Sequence, residues 1–190
     1  IPWTRATLGE KEFLPGIRLE NGVLQFDEQQ LSWPGDLLHE AGHIATSPPS
    51  LRASLNDKLE VTPADEMATL AWSYAAALAC EIDPHIVFHE GGYKSDGAHL
   101  VAQYASGLPP GGPGVPMLQW YGMTKTYPLM EHWLRQTENP GDPSAISPTG
   151  PPPFLKFPLP HFPMKPPQSC LTTLAVLAAS TRLWAAPSQI

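Results

Sequence analysis

The sequence predicts an α+β domain over residues 1–135, followed by a Pro-rich, low-complexity tail over residues 136–190. Three observations predict it. Two short apolar runs, Ile17-Arg18-Leu19 and Val23-Leu24-Gln25-Phe26, flank Asn21-Gly22, a dipeptide that tolerates positive φ and so favours a tight hairpin turn. The apolar residues Leu37, Leu38, Ile44 and Ala45 flank His39-Glu40-Ala41-Gly42-His43 between a helix-start and a helix-stop signal. A third segment opens with Thr62-Pro63-Ala64-Asp65 and holds seven alanines up to residue 79. Alanine favours helix, and its small side chain lets a second helix approach closely.

The elements follow in order. The hairpin occupies residues 13–27. Ser32-Trp33-Pro34-Gly35-Asp36 starts a helix, with Asp36 as cap or Pro34 in the first turn. That helix is expected from Asp36 to Thr46, where Pro48-Pro49 stops it. Residues 50–62 read as a loop. In the next start signal Thr62 is the cap, Pro63 takes the first helical position and Asp65 is the acid three residues after the cap. The Ala-rich helix is expected to run to about Glu81, before Asp83-Pro84. Ile86-Val87-Phe88 reads as a strand or buried turn, Gly91-Gly92-Tyr93 as a bend and Ala98 to Ser106 as a short helix. Pro109 to Pro116 reads as a loop, and Leu118 to Leu134 as one or two short helices.

Half of the 24 prolines fall in residues 136–190. Pro151-Pro152-Pro153 and Phe157-Pro158-Leu159-Pro160 preclude regular helix and central strand, so the tail is expected to be extended or disordered. Met164-Lys165, the apolar Leu171 to Ala179 and Trp184-Ala185-Ala186 have the layout of a secretory signal, which makes no sense at a C-terminus. The apolar run is also too short to span a bilayer comfortably. It reads equally as a terminal amphipathic helix or as translation beyond, or out of frame with, the natural gene end. Ile1-Pro2-Trp3 resembles neither a signal nor a transit peptide, and the absence of an initiator Met points to a fragment or processed form.

Charge divides unevenly. Residues 1–135 carry 8 Lys/Arg against 16 Asp/Glu, a net of −8; the remainder carries 3 against 2, bringing the whole to −7. An acidic body without a Lys/Arg cluster argues against nucleic acid as the main partner. Cys80 and Cys170 are too few and too distant for a disulfide framework or a Cys-rich metal site, which is compatible with a reducing cytoplasm.

On an α-helix, residues four apart share a face. His39 and His43 can therefore offer ring nitrogens to one metal ion, and Glu40 beside them can act as general base on a metal-activated water. A third His six residues after His43 would mark a metzincin; position 49 is Pro49, which excludes that class. The gluzincin solution is a Glu on the next helix. Glu66, 23 residues after His43, sits in the first turn of the Ala-rich helix. Asp65 is better explained as the capping acid, which leaves Glu66 free to turn inward. Glu66 also fits an ordinary first-turn acid favoured by the helix dipole. His89, Tyr93, Lys94 and His99 can approach the cleft through the Gly91-Gly92 bend. Among them Tyr93 and His89 are the candidates for stabilising an oxyanion. Trp72, Tyr74, Trp120 and Trp133 are assigned to core packing.

His39-Glu40-Ala41-Gly42-His43 followed by an acid-bearing helix resembles the minimal gluzincin-like zinc peptidases, of which the ImmA/IrrE family is an example. Ala71-Trp72-Ser73-Tyr74-Ala75-Ala76-Ala77-Leu78 is similar to that family's Ala/aromatic helix, with Glu66 placed a little earlier relative to it. Pro34 to His43, Ala71-Trp72-Ser73-Tyr74 and Val115-Pro116-Met117-Leu118-Gln119-Trp120 resemble a group of uncharacterised bacterial HExxH proteins. The resemblance covers about residues 13–135. It implies a zincin-like minimal metalloprotease fold and metal binding, and it supplies no substrate; the metal chemistry taken with it leads to the expectation of bound Zn2+ and of a peptidase acting on a peptide or protein substrate. The residue expectations are His39, His43 and Glu66 as metal ligands and Glu40 as general base. Two alternatives stand beside this: a metal-binding regulatory or protein-interaction module with little turnover, and a damaged or read-through product whose core folds poorly. No membrane span is expected.

Overall fold

The computed structural model describes residues 1–9, 12, 14–57, 61–93, 96–108 and 111–138. Strands β2 (Ile17–Glu20) and β3 (Val23–Phe26) pair antiparallel, with Ile17 opposite Phe26 and Glu20 opposite Val23. Asn21 and Gly22 take φ values of 50° and 71°, the left-handed pair that a two-residue hairpin turn requires. Alternation puts Ile17, Leu19, Leu24 and Phe26 into the core. A third strand, β1 (Trp3–Arg5), runs parallel to β3, giving the order β1-β3-β2. Its three residues are too short a run for alternation to reveal it in the sequence. β2 is thus an edge strand, and Ile17 reaches the site described below.

Helix α1 (Asp36–Thr46) has the expected bounds. Its start differs from expectation. Gly35 is the cap residue, no side chain caps the helix, and the Asp36 carboxylate turns to His89 instead. Gly35 is needed because a Cβ there would meet the Ile86 carbonyl oxygen at 1.9 Å. The C-terminal end is closed by protein groups. The Ser47 amide and hydroxyl donate to the His43 carbonyl at 3.2 and 2.7 Å. Arg52 Nε donates to the Ile44 carbonyl at 3.2 Å. The Arg135 amide donates to the Ala45 carbonyl at 2.9 Å, and its guanidinium contacts the Thr46 carbonyl at 3.5 Å. The four last carbonyls of a helix have no partner within the helix, and here all four find one.

Helix α2 (Pro63–Ala79) begins as expected and stops two residues before Glu81, which takes a left-handed φ of 56°. The Thr62 hydroxyl oxygen accepts from the Asp65 amide at 3.2 Å and donates to the Asp65 carboxylate at 2.6 Å. Such a cap stabilises a helix by about 1 kcal/mol. α1 and α2 pack along one another, and Gly42 permits it: a Cβ at that position would meet Thr69 Cγ2 at 2.9 Å, Ser73 Oγ at 3.1 Å and Trp72 Cε3 at 3.2 Å.

The chain then differs from the sequence expectation in several places. Of the two readings of Ile86-Val87-Phe88 the turn holds and the strand does not: Pro84–Val87 is a helical turn, α3, which Asp83 caps by accepting from the His85 amide at 3.0 Å, and Val87 and Phe88 are buried. Glu90–Tyr93 is another helical turn, α4, rather than a bend. α5 (Asp96–Ala105) covers the expected short helix. α6 is Val115–Trp120, and residues 121–134 form no helix. Trp72 and Tyr74 are core residues, whereas Trp120 is 54% exposed, against expectation. Trp133 packs edge-on against Trp72 and accepts its indole N–H at the backbone carbonyl, 2.9 Å away.

The packed body reaches Glu138, whose carboxylate accepts from the Ser50 amide and hydroxyl at 2.9 and 2.7 Å. The tail expectations beyond it, and Lys94, lie outside the described residues. No helix among the described residues is long and apolar enough to cross a membrane.

Candidate metal centre

His39 and His43 lie one turn apart on α1, with ring centroids 4.8 Å apart and planes at 86°. Glu66 comes to them from the first turn of α2. Asp65 beside it is occupied, since it also accepts the Tyr121 hydroxyl at 2.9 Å. Glu66 Oε1 stands 3.4 Å from His39 Nε2, and Glu66 Oε2 stands 3.4 Å from His43 Nε2. His39, Glu40 and His43 form a group whose ligand atoms lie within 4.8 Å of one another and which could hold a metal ion.

These contacts are not ion pairs at neutral pH. Burial, then the neighbouring His43 and His89, hold His39 down to about 3. Burial holds His43 down to about 4, against a smaller opposing pull from Asp65. Both rings are therefore neutral. Burial raises Glu66 as well. Two neutral imidazoles and a carboxylate thus converge, with Nε2 of each ring turned towards the carboxylate. Two nitrogens and an oxygen at helix-fixed positions are donor types that can hold a metal ion.

Each ring is held from behind. His39 Nδ1 lies 3.1 Å from the Tyr93 hydroxyl, and His43 Nδ1 lies 3.3 Å from the Thr69 hydroxyl. Ligating histidines typically bond their other nitrogen in this way, which fixes the ring. Glu40, four residues after Asp36, takes no hydrogen bond from any described residue. Burial pushes it up to about 8, with the charges of Asp36, Glu66 and Asp57 adding to the effect.

The centre opens on a cleft of about 500 Å³. Leu14, Ile17 and Val61 give it apolar walls; Asp36, Asp57, Gly92 and Tyr93 complete the lining. Asp57 is tied to the β2 edge, accepting from the Leu19 amide and donating its own amide to the Leu19 carbonyl at 3.0 Å.

The structure brings His39, Glu40, His43, Glu66 and Tyr93 together and places His89 one layer back. His89 is 7% exposed and stacks on Trp33 with centroids 4.3 Å apart. Its Nδ1 accepts from the Gly92 amide at 3.2 Å, so its Nε2 carries the proton and donates to Asp36 Oδ1 at 2.7 Å. With both nitrogens engaged, His89 offers no donor to an oxyanion and instead anchors Asp36. The Tyr93 hydroxyl faces His39 Nδ1, behind the coordinating face, which is an orienting position rather than the expected oxyanion-stabilising one. His85 bonds Asp83 at 2.8 Å and His99 bonds Gln103 at 3.0 Å, both on the surface.

The sequence marks Asp36 as a helix cap and gives neither Asp36 nor Thr69 a role at the site. Thr69 had a readable signal: Glu66, Thr69 and Ser73 are a polar stripe at helical spacing on a helix otherwise dominated by Ala and apolar residues. Asp36 had none, because its first-turn position already explains an acid.

No family model, no curated protein and no solved structure matches the chain.

Proposed function

We propose that the chain is a zinc-dependent hydrolase that cleaves peptide bonds, with His39, His43 and Glu66 as metal ligands and Glu40 as general base. One observation carries it: the Glu66 carboxylate spans the two neutral His Nε2 atoms at 3.4 Å each. Zinc in such a site supplies Lewis acidity, making water nucleophilic near neutral pH and polarising the carbonyl under attack. The protein's own groups do the rest.

Glu40 takes the proton of the attacking water on its carboxylate and delivers it to the amine nitrogen as the C–N bond breaks. Burial strengthens it as a base, and a bound dication would favour its ionised form. Tyr93 orients His39. Leu14, Ile17 and Val61 present an apolar wall to a substrate chain. A zincin-like arrangement of hairpin, HExxH helix and acid-bearing helix supports this reading. We assign the protein to the cytoplasm, on a sequence whose two cysteines, Cys80 and Cys170, are too few and too distant for a disulfide framework.

The test is zinc analysis of the purified chain together with hydrolysis of a broad peptide library, by the wild type and Glu40→Gln. Zinc binding with Glu40-dependent cleavage is expected. Zinc binding without cleavage would reassign the domain as a metal-binding regulatory or protein-interaction module.

A further inference from the structure

The geometry points to Thr69 and Thr46 as a one-way hydrogen-bond relay that fixes the tautomer of His43 and reserves its Nε2 lone pair for a metal ion. The last clause rests on the metal-site reading above; the relay itself does not.

The relay follows from counting protons. The Gly42 carbonyl can only accept, and it accepts from the Thr46 hydroxyl at 3.0 Å. Thr46 has one hydroxyl proton, now spent. In the 3.2 Å contact between Thr46 Oγ1 and Thr69 Oγ1, Thr69 must therefore donate. Its single proton is then spent too. In the 3.3 Å contact between Thr69 Oγ1 and His43 Nδ1, only the ring can donate. His43 carries its proton on Nδ1, and in a neutral ring the other nitrogen, Nε2, is left with its lone pair facing Glu66.

No other described group competes for the two threonine hydroxyls; the rival for the His43 proton is Glu66 Oε2, 3.4 Å from Nε2. Thr46 is 3% and Thr69 0% exposed, so water does not supply alternative partners. Ser73 Oγ donates to the Thr69 backbone carbonyl at 2.8 Å and leaves the Thr69 hydroxyl alone. The relay crosses from α1 to α2 where Gly42 brings the helices together. His39 lacks such a device: the Tyr93 hydroxyl is its Nδ1 partner and can donate or accept, since no other described residue bonds that hydroxyl. Thr69 and Thr46 are positioning residues for His43.

The experiment uses the metal-free full chain, 15N-labelled at histidine, and reads the His43 tautomer by NMR. Thr69→Val removes the hydroxyl at constant shape, Thr69→Ser restores it, and Thr46→Val frees the Thr69 proton. Wild type and Thr69→Ser are expected as the Nδ1–H form. Thr69→Val and Thr46→Val should shift His43 towards the Nε2–H form, a change a merely structural role would not produce. Zinc affinity by chelator competition should fall about 10–100-fold in Thr69→Val and recover in Thr69→Ser. A wild-type His43 protonated at Nε2 overturns the relay, as does an unchanged tautomer in both Val variants. A wild type with the expected tautomer but no zinc affinity keeps the relay and removes the metal site.

Discussion

Glu66 Oε1 and Oε2 lie at equal distances, 3.4 Å, from His39 Nε2 and His43 Nε2. The carboxylate is 41% exposed in its side chain, so holding it there costs side-chain freedom. Neutral imidazoles return no strong charge pairing for that cost. A cation between the three groups would. Glu66→Ala is therefore expected to weaken zinc binding by more than the roughly 10–100-fold typical of outer-sphere changes. Its fold should persist, because the α2 cap uses Thr62 and Asp65. Competition with a chromophoric chelator measures the first and circular dichroism the second. Full zinc retention would remove Glu66 from the site.

Glu40→Gln separates holding the metal from using it. The substituted amide keeps size but cannot carry a proton between water and amine. Zinc content should stay near that of wild type, while turnover should fall about 10²–10⁴-fold. Unchanged turnover in a peptide cleavage assay would end the general-base role of Glu40.

The sequence revealed the site's elements better than their connections. The spacing of His39 and His43, the hairpin turn at Asn21-Gly22 and the cap at Thr62 are local signals, each decided within a few residues. The fate of Asp36 was not. A first-turn acid looks like a cap, and only tertiary contact with His89, 53 residues on, redirects it. β1 was invisible because three residues show no periodicity, and its pairing with β3 is non-local. The helical turn α3 was masked by Ile86 and Val87, although Asp83-Pro84 is a local helix start, and α4 by the Gly91-Gly92 pair, of which Gly91 packs against Trp33.

The metal-free protein should show opposite pH trends on the two sides of neutrality. His39 and His43 are held to about 3 and 4, below their ordinary value of 6.5. The unfolded chain therefore gains protons first as pH falls below about 6.5, and stability drops. Glu40 is raised from 4.5 to about 8, so the unfolded chain loses its proton first as pH rises. Between about pH 6.5 and 8 the histidine contribution is constant and Glu40 removes up to about 1.4 kcal/mol per pH unit. Urea denaturation across pH 4–9 reads this: Glu40→Gln should flatten the alkaline fall and steepen the acid one, because Glu40 opposes the two histidines between about pH 4.5 and 6.5. Zinc should reverse that fall, because ionised Glu40 then faces a cation.

Gly42→Ala tests the helix contact. In an exposed helix interior the change would add up to about 1 kcal/mol of stability. Here the new methyl meets Thr69 Cγ2 at 2.9 Å, and a β-branched side chain cannot swing away easily. Overpacking of this kind costs about 1–3 kcal/mol. The net effect is expected to be destabilising, with weaker zinc binding because Thr69 stands behind His43. A stabilised variant with unchanged affinity would show that α1 and α2 can separate freely.

Arg135 holds the far end of the same helix. Its guanidinium is buried, 4% of the residue being exposed, and lies over the Tyr121 ring at 4.2 Å. Its Nε donates to the Thr137 carbonyl at 2.8 Å and its Nη2 to the Glu138 carbonyl at 2.7 Å, while Nη1 contacts the Thr46 carbonyl. Arg135→Met keeps the apolar stem and strips the donors from buried carbonyls. The expected loss is about 2–4 kcal/mol, or roughly 10 °C in Tm. Arg135→Lys should recover little of it, because one ammonium cannot reach carbonyls on three sides as a planar guanidinium does. Both variants should lose zinc affinity less than they lose stability, since the backbone amide of residue 135 still bonds the Ala45 carbonyl and keeps α1 in place. Thermal melts with and without zinc check the order: an Arg135→Met variant that melts within about 2 °C of wild type would mean that water closes the helix end as well as the guanidinium does.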